Sequence, residues 1–168
     1  MVAFPVDVGS IRSLTEKHYC AIAASNLPDQ TVIGGSSKDL DRLTEDALVH
    51  FPRKKPTRLK TEGAFHTFYM VTAALHFRRV LDDAEMHAPT LRVLSNYTGT
   101  HHDLDPATIK TRLFYQLFYP VNWICNLETA FRDGMTTVVE FGGGLGSGTR
   151  PEDKHPNLEG IVKKALRD

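Results

Sequence analysis

The stretch AASNLPDQTVIGG, residues 23–35, predicts a β-hairpin at the centre of the N-terminal part of the chain. Residues 19–25 are apolar and alternate weakly, which favours one strand, and the β-branched residues 31–33 favour a second. Residues 26–29 between them contain Asn, Pro and Asp, whose side-chain hydrogen bonding and restricted backbone angles favour turns. The sequence therefore predicts an antiparallel sheet in this region.

The segments outside the hairpin predict one strand and one helix on each side of it. Residues 2–6 are short and apolar, as in a strand, and residues 7–18 have the spacing of a helix. After the hairpin, residues 37–50 carry an apolar stripe at helical spacing, and residues 57–61 predict a further strand. The order β-α-β-β-α-β over residues 1–61 is the ferredoxin-like arrangement, an antiparallel sheet with two helices on one face.

The second half, residues 62–168, predicts helices that alternate with strands, and therefore an α/β layer. The predicted helices are residues 66–84, a segment that opens at Asp105-Pro106, residues 120–133 and residues 156–166. The second of these helices has a stripe of Ile109, Leu113 and Leu117 that is predicted to be buried. The predicted strands are residues 91–94 and 135–141. The second strand is apolar enough to be buried. The predicted fold class of the whole chain is α/β.

Length and composition favour one domain, or one domain with a small appended unit. The chain has 168 residues, 41% apolar and 24% charged, which is enough to bury a core. Its net charge of zero disfavours a nucleic-acid partner. No apolar stretch approaches the roughly 20 residues that cross a bilayer, and residues 1–10 lack the basic start of a signal peptide. We expect a cytoplasmic protein without a membrane partner.

The cysteines and the paired histidines predict neither a disulfide framework nor a metal site. Cys20 and Cys125 lie in apolar runs outside any metal-ligand spacing, so both are predicted to be buried free thiols. His101 and His102, followed by Asp103, cannot easily face one ion together, and no H-E-x-x-H motif accompanies them. We expect no metal.

Residues 142–148, GGGLGSG, form a glycine-rich loop after a predicted strand, which is where phosphate-binding loops occur. The loop lacks the Lys-Ser/Thr of a P-loop and the spacing G-x-G-x-x-G. The motif G-x-S-x-G, which carries a serine nucleophile, is absent from the whole sequence. A turn that closes the strand is the simpler interpretation, and phosphate binding stays open.

The one concentrated basic run consists of Arg53, Lys54 and Lys55, followed by Arg58 and Lys60. Such a run is usually a solvated loop and edge strand, in which lysines oppose edge-to-edge pairing. The alternative interpretation is a surface that docks an acidic partner protein by electrostatic attraction.

The segment GAFH, residues 63–66, is the sharpest functional signal. His66 follows small residues at a predicted strand-to-helix junction. An imidazole is close to neutral at physiological pH and can accept a proton from a nucleophile. Because a histidine at a helix start is more often structural or exposed, the surrounding sequence has to decide between the two roles.

Five segments in order along the chain resemble malonyl-CoA:acyl-carrier-protein transacylases and the acyltransferase domains of polyketide synthases. Residues 61–70 resemble the family segment G-A-F-H-S-x-x-M, and residues 23–35 resemble A-x-x-N-x-P-x-Q-x-V-x-x-G. Residues 87–96 resemble F-x-A-P-x-x-P-V-x-x-N, residues 116–123 resemble Q-L-x-x-P-V-x-W, and residues 139–144 resemble x-E-x-G-P-G. The five segments together cover nearly the whole chain.

This resemblance implies a two-part fold. The family has a large α/β-hydrolase-like subdomain into which a small ferredoxin-like subdomain is inserted. Residues 1–61 are then expected to be the small subdomain, and residues 62–168 the C-terminal part of the large acyltransferase subdomain.

The resemblance also implies an activity. The family transfers a malonyl group from coenzyme A to the phosphopantetheine thiol of an acyl carrier protein, through an acyl-serine intermediate. Malonyl-CoA and the carrier are then partners, and the chain needs no cofactor of its own. The family serine lies in a G-H-S-x-G segment that precedes the small subdomain. This chain is therefore expected to be inactive alone, either as a shortened form of the enzyme or as one half of a split enzyme that pairs with a separate chain carrying the serine.

Individual residues carry over by position. His66 matches the base that activates the serine, and Gln116 matches the position whose main-chain carbonyl orients that histidine. Phe65 stands where malonyl-type members have a bulky aromatic residue, which favours malonyl over methylmalonyl. Tyr119 stands where an Asn is common, and Gly143 replaces the usual Pro.

Two alternatives of another class remain open. The chain could be a non-catalytic module that docks acyl carrier protein through the small subdomain and the basic residues Arg53, Lys54 and Lys55. It could also be an inactive remnant, in which an exposed apolar surface invites aggregation.

Overall fold

A computed structural model describes residues 1–142, 145, 149–155 and 158–166. The first part contains the six predicted elements in the predicted order. They are β1 (Val2–Phe4), α1 (Val8–Lys17), β2 (Ala21–Leu27), β3 (Gln30–Gly34), α2 (Ser37–His50) and β4 (Thr57–Arg58). The last strand is shorter than predicted because the backbone turns after it, where the Thr61 N–H donates to the Leu59 carbonyl at 3.0 Å.

The four strands form one antiparallel sheet in the order β2-β3-β1-β4. The strands β2 and β3 are the predicted hairpin, and Leu27 stands opposite Gln30 across the turn. In the central pair, Val2 of β1 stands opposite Ile33 of β3. The first and last strands of the order β-α-β-β-α-β therefore lie side by side, since β1 also pairs with β4.

The helices α1 and α2 cover one face of the sheet and form the main core with it. Both begin at a capping side chain, because Asp7 accepts from the Ser10 N–H and Ser36 accepts from the Asp39 N–H. The core side chains are those of Val2, Phe4, Val6, Ile11, Leu14, Cys20, Ile33, Leu40, Leu43 and Ala47. The opposite face carries smaller buried residues, Ala3, Ala23, Ala24 and Val32, and Val121 of the second half packs on them.

The second half contains four helices, which are α3 (Val71–Asp83), α4 (Pro106–Gln116), α5 (Trp123–Arg132) and α6 (Glu159–Ala165). Two single 3₁₀ turns lie at Phe68–Met70 and Pro151–Asp153. Helix α4 begins as predicted, with the Asp105 side chain accepting from the Thr108 N–H. The helix predicted from residue 120 starts later, because Val121 bonds to β2 instead, with its N–H on the Ala23 carbonyl at 2.9 Å.

The helix predicted from residue 66 begins only at Val71. The reason is local, since His66 has a φ of +61°, which lies outside the right-handed helical region. The 3₁₀ turn then leads the chain into α3. Helix α4 differs from its prediction in burial. Its stripe of Ile109, Leu113 and Leu117, predicted to be buried, is only half-buried.

The two strands predicted for the second half are wrong within the described residues. Leu94 forms a single isolated bridge with His101, and residues 135–141 belong to no strand. Val139 is 67% exposed and Phe141 is 92% exposed, although this segment was predicted to be buried. The described part of the second half offers no neighbouring strand that could bond to this segment, so the predicted α/β layer does not form there.

One of the two thiol predictions is also wrong. Cys20 is free and buried, as expected, whereas Cys125 is free and exposed. Cys125 packs closely on Gly99, where an added Cβ atom would lie 2.4 Å from the Cys125 Cβ atom. Within the described residues, no helix combines the length and the apolar character that crossing a bilayer requires.

Candidate functional site

The turn at residues 63–67 packs directly on the end of β3. A Cβ atom on Gly34 would lie 2.8 Å from the Thr67 Cγ2 atom and 3.1 Å from the Ala64 Cβ atom. The turn is closed by Thr67, which is buried and donates its Oγ1 hydrogen to the Ala64 carbonyl at 2.5 Å. Gly34 therefore permits the close approach that fixes His66 against the sheet. The sequence showed this glycine only as the end of a strand.

The His66 backbone adopts a left-handed conformation, with φ at +61°. For a residue other than glycine this costs roughly 1–2 kcal/mol. The cost is offset by hydrogen bonds, of which the first is the His66 N–H to the Leu117 carbonyl at 3.0 Å. The strain thus persists because the end of α4 holds the backbone in place.

The imidazole makes the second bond, from Nδ1 to the Gln116 carbonyl oxygen at 2.7 Å. A carbonyl oxygen can only accept, so Nδ1 must carry the hydrogen. In the neutral ring the other nitrogen, Nε2, then holds a lone pair and can accept a proton. Nε2 has no hydrogen-bond partner among the described residues, and the side chain is half-buried.

The acceptor for His66 comes from the C-terminal end of α4. Gln116 is the last residue of this helix, where carbonyl groups lack intrahelical partners. Aromatic rings brace this end of the helix, with Tyr97 stacked on Tyr115 at 5.2 Å and Phe114 edge-on to Phe118 at 5.2 Å. The sequence motif identified Gln116. The Leu117 carbonyl, which accepts from the His66 N–H, depends on tertiary structure and could not be found from the sequence.

His66 lines an open groove of about 520 Å³. One wall comes from α1 and the start of β2, the second from residues that follow His66, and the third from residues 118–120. Its lining includes Arg12, Glu16, Cys20, Phe68, Phe118 and Tyr119. The groove is mainly apolar, and Arg12 and Glu16 are the only acidic or basic side chains in its described lining apart from His66.

Cys20 is the one thiol of this groove, and it is a poor nucleophile. Burial, with a smaller contribution from the Asp39 carboxylate, raises the pKa of the Cys20 thiol to about 11. Its Sγ lies 3.6 Å from the His18 carbonyl rather than against His66. A protonated thiol does not attack thioesters. The described groove therefore holds a proton acceptor without an activated nucleophile.

The other predicted site residues lie apart from this groove. Phe65 is 44% exposed, and its ring lies near Gly63 and outside the groove lining. Arg53, Lys54 and Lys55 are exposed in the loop between α2 and β4, and they form none of the ion pairs found in the described part of the chain. The structure thus brings His66 and Gln116 together, whereas Phe65 and the basic residues 53–55 lie outside the groove.

The His101–Asp103 segment is a hydrogen-bonded surface element. His101 Nε2 lies 2.6 Å from the Asp133 carboxylate, and Arg112 pairs with Asp103. The bond to His101 is the main cause that lowers the pKa of Asp133. No group of three or more ligand side chains is placed for a metal within the described ranges. Of the glycine loop, Gly143, Gly144 and residues 146–148 lie outside the described residues.

A second groove, of about 680 Å³, lies between α5, α6 and residues 135–140. Its described lining is mostly apolar and includes Leu127, Val138, Val139 and Val162. Two further lining residues, Trp123 and Asn126, carry buried polar atoms that have no hydrogen-bond partner within the described residues. Buried polar groups are normally paired. The sequence predicted a buried strand here but not the groove.

No protein-family model matches the sequence. The chain is 28% identical over 167 residues to the malonyl CoA-acyl carrier protein transacylase of Bacillus subtilis, which aligns 96% of this chain with 49% of that protein. It is 26% identical over 169 residues to a non-reducing polyketide synthase of Aspergillus flavus, covering 99% of this chain and 8% of the synthase.

The solved structure of the malonyl-CoA:acyl carrier protein transacylase from Xanthomonas oryzae pv. oryzae superposes with a TM-score of 0.85 at 24% identity. The match covers 98% of this chain and 50% of that one. At this identity the likeness shows the fold alone. The chain thus has the mixed α/β fold of part of a transacylase and spans about half the length of the transacylases that it matches.

Proposed function

From the resemblance of this chain to half of a malonyl-CoA:acyl carrier protein transacylase, we propose that it supplies the histidine part of a malonyltransferase. The reaction is transfer of a malonyl group from coenzyme A to acyl carrier protein in fatty acid or polyketide biosynthesis. One observation carries the proposal. The Nδ1 hydrogen of His66 is held on the Gln116 carbonyl at 2.7 Å, which leaves Nε2 as a proton acceptor.

The proposed chemistry uses a serine from outside the chain. As the serine Oγ attacks the thioester carbon, its proton moves to His66 Nε2. The C–S bond then breaks, and the proton passes from Nε2 to the coenzyme A sulfur, leaving an acyl-serine. The thiol of the carrier's phosphopantetheine attacks this ester, giving its proton to Nε2, which returns it to the serine oxygen.

The role proposed for Gln116 is orientation. Its carbonyl fixes the ring and the tautomer of His66, as a carboxylate does in a serine-histidine-aspartate triad. A carbonyl does so without a negative charge beside the imidazole. His66 and Gln116 are thus a catalytic base and a positioning group, and the chain binds no cofactor in this scheme.

We further propose that residues 1–61 form the ferredoxin-like small subdomain and residues 62–168 the C-terminal part of the large subdomain. The strand order β2-β3-β1-β4 with antiparallel neighbours supports the first assignment. The close match in fold to about half of a transacylase supports the second.

A separate chain with a G-H-S-x-G segment is the proposed partner for catalysis. The sequence contains no G-x-S-x-G, so the chain alone should not transfer malonyl groups. The apolar groove beside α5 and α6 supports the proposal, because Val138 and Val139 in its lining are exposed and no strand in the described part of the chain pairs with their segment. A strand-bearing part of an α/β layer would cover these residues.

The reconstitution experiment mixes this chain with the N-terminal half of a malonyl-CoA:acyl carrier protein transacylase and measures malonyl transfer to acyl carrier protein. We expect no transfer by either part alone and measurable transfer by the mixture. A serine-to-alanine variant of the N-terminal half is the control and should abolish the gain. Transfer by this chain alone, or a mixture that stays inactive although the two parts associate, would contradict the proposal.

Two finer proposals concern specificity and docking. Phe65, which precedes the base, is proposed to disfavour an α-methyl group and so to select malonyl over methylmalonyl. The exposed Arg53, Lys54 and Lys55 are proposed to attract the carrier protein, since they form none of the described ion pairs. Both are testable in the reconstituted system by Phe65→Ala and by charge reversal at Lys54 and Lys55.

The same basic loop supports the second candidate function, a non-catalytic module that docks acyl carrier protein. In that case the chain alone should bind the carrier, salt and charge reversal at Lys54 and Lys55 should weaken the binding, and no serine-bearing partner should restore transfer. Restored transfer that depends on His66 would exclude this candidate. An inactive remnant would instead bind neither the carrier nor the serine-bearing half.

A further inference from the structure

Arg12 differs from the other charged residue of the His66 groove wall, Glu16, because a cation beside a catalytic groove can attract an anionic ligand. It is exposed on α1 and lines the groove, yet it takes part in none of the hydrogen bonds or ion pairs found among the described residues. Glu16 lies one helical turn further along the same wall, and no ion pair joins the two. With the arginine on the N-terminal side, this spacing is the weaker orientation for such a pair.

The neighbours of Arg12 on α1 fix the point at which its side chain leaves the helix. Ile11 and Thr15 lie on the buried side of α1, and the Thr15 hydroxyl donates to the Ile11 carbonyl at 2.9 Å. The stem of Arg12 therefore leaves the helix at a defined point on the groove wall. The opposing walls are aromatic and apolar, with Phe68 on one side and Phe118 on the other. A guanidinium in such surroundings favours a ligand with one anionic group and a slender, largely uncharged body.

The thioester carriers of the proposed reaction have this chemistry. In both coenzyme A and acyl carrier protein, a pantetheine arm joins the reactive sulfur to a phosphate. We propose that Arg12 binds the phosphate of this arm and so sets the distance at which the sulfur reaches His66. A guanidinium suits the task, because its fork of N–H donors matches two phosphate oxygens at once. This inference rests on the proposed function.

Glu16 tunes the same site. Its carboxylate lines the groove near Arg12 and repels a bound phosphate. Removal of this charge should therefore tighten binding, whereas removal of Arg12 should weaken it. Arg42 offers a matched control, because it is an exposed arginine on α2 that lies outside the groove lining and pairs with Asp39 at 3.9 Å.

The test titrates the isotope-labelled chain with 4′-phosphopantetheine and, separately, with pantetheine, which lacks the phosphate, while NMR shifts of groove residues are followed. We expect the phosphate to tighten binding about tenfold, which is the size of one charge-assisted hydrogen bond. Arg12→Ala should remove this difference, Arg12→Lys should keep part of it, and Glu16→Gln should enlarge it. Arg42→Ala should behave like the unmodified chain.

Equal affinity for the two ligands, absence of binding by 4′-phosphopantetheine, or a difference that survives Arg12→Ala would overturn the assignment. Titrations with coenzyme A and with phosphopantetheinylated carrier protein separate the sources. Arg12→Ala should weaken both, and an effect confined to coenzyme A would place Arg12 on its nucleotide and contradict the inference. Because these are binding measurements, phosphate selectivity without restored transfer would mean that the proposed function has failed while this inference stands.

Discussion

The turn at residues 63–67 and the segment at residues 135–141 differ in how far the rest of the chain provides their hydrogen bonds and covers their side chains. In the turn, the His66 N–H, its Nδ1 hydrogen and the Thr67 hydroxyl all reach carbonyl oxygens between 2.5 and 3.0 Å away. In the segment, the Met135 N–H bonds to the Ala130 carbonyl, and apolar side chains as large as Phe141 lie exposed. The contacts that hold His66 are therefore complete within this chain, whereas the described residues leave the apolar segment uncovered.

This contrast agrees with the proposal that the chain holds the geometry of a base and receives its serine from another part of the enzyme. A base needs only its tautomer and its position, and two consecutive carbonyls at the end of α4 provide both. A strand of an α/β layer needs at least one hydrogen-bonded neighbour and a cover over both faces. The described residues thus supply the contacts of the histidine and not those of a strand at residues 135–141.

The largest expected effect is on the base itself. His66→Ala should lower transfer by the reconstituted enzyme by roughly 10²- to 10⁴-fold, the usual range for a general base. Stability should fall by only about 1 kcal/mol, because one hydrogen bond of a half-buried ring is lost. His76→Ala, at an exposed position of α3, is the control and should change neither the rate nor the urea midpoint. Unchanged transfer in the His66 variant would remove the assigned role.

The packing beneath the turn gives the next effect. Gly34→Ala places a Cβ atom 2.8 Å from Thr67 Cγ2, so the turn must move or the sheet must yield. We expect a loss of about 1–3 kcal/mol in urea unfolding, and a roughly tenfold to hundredfold loss of transfer from displacement of His66. Gly63→Ala is the matched control, because its nearest contact would be an ordinary 3.6 Å from Phe65. Equal effects of the two variants would contradict this account of the turn.

Unlike the turn, the segment at residues 135–141 should tolerate a substitution in the isolated chain and lose binding to the other half. Val139→Asp should change the stability of the isolated chain by no more than about 0.5 kcal/mol, because Val139 is 67% exposed. The same change should weaken association with the serine-bearing half, measured by calorimetry. Val32→Asp serves as the reference, since Val32 is 6% exposed and an unpaired charge there should unfold the sheet. A large loss of stability from Val139→Asp would show that the chain covers this segment itself.

The smallest effect lies outside both regions, where α1 meets α2. Asp46 accepts hydrogen bonds from Lys17 at 2.7 Å and His18 at 2.8 Å, which hold its pKa at about 2 against an ordinary 3.8. A lowered carboxyl pKa stabilises the fold above the ordinary value, and the contribution is lost as pH falls through about 2. Asp46→Asn should slightly lower the urea midpoint at pH 5 and lower it much less at pH 2, where the carboxyl is already partly protonated in the folded chain. An equal shift at both pH values would argue against this linkage.

The sequence predicted the elements whose signals are local. The Pro28-Asp29 turn, the capping residues Asp7 and Ser36, and the Asp105-Pro106 start of α4 all act within a few residues of themselves, and the corresponding elements are present. His66 and Gln116 were found through motif resemblance, and the structure brings them into contact, while their catalytic roles stay proposals.

The wrong predictions concern features that depend on contacts between residues far apart in the sequence. A buried strand at residues 135–141 requires neighbours that its own composition cannot supply, and the helix predicted from residue 66 did not allow for the left-handed backbone that Leu117 holds in place. The exposure of Cys125 likewise depends on which parts of the fold cover α5, and the apolar run around this residue does not show that. Arg12 gave no signal because its neighbours along the chain do not reveal which groove it faces.

The most direct test of the account is the tautomer of His66. A long-range ¹H–¹⁵N correlation spectrum of the ring, recorded above the pH at which the imidazole is protonated, shows which nitrogen carries the hydrogen. The bond from Nδ1 to the Gln116 carbonyl predicts a hydrogen on Nδ1 and a free lone pair on Nε2. A hydrogen on Nε2 would contradict the account, because the ring could then not take a proton from a serine on the groove side.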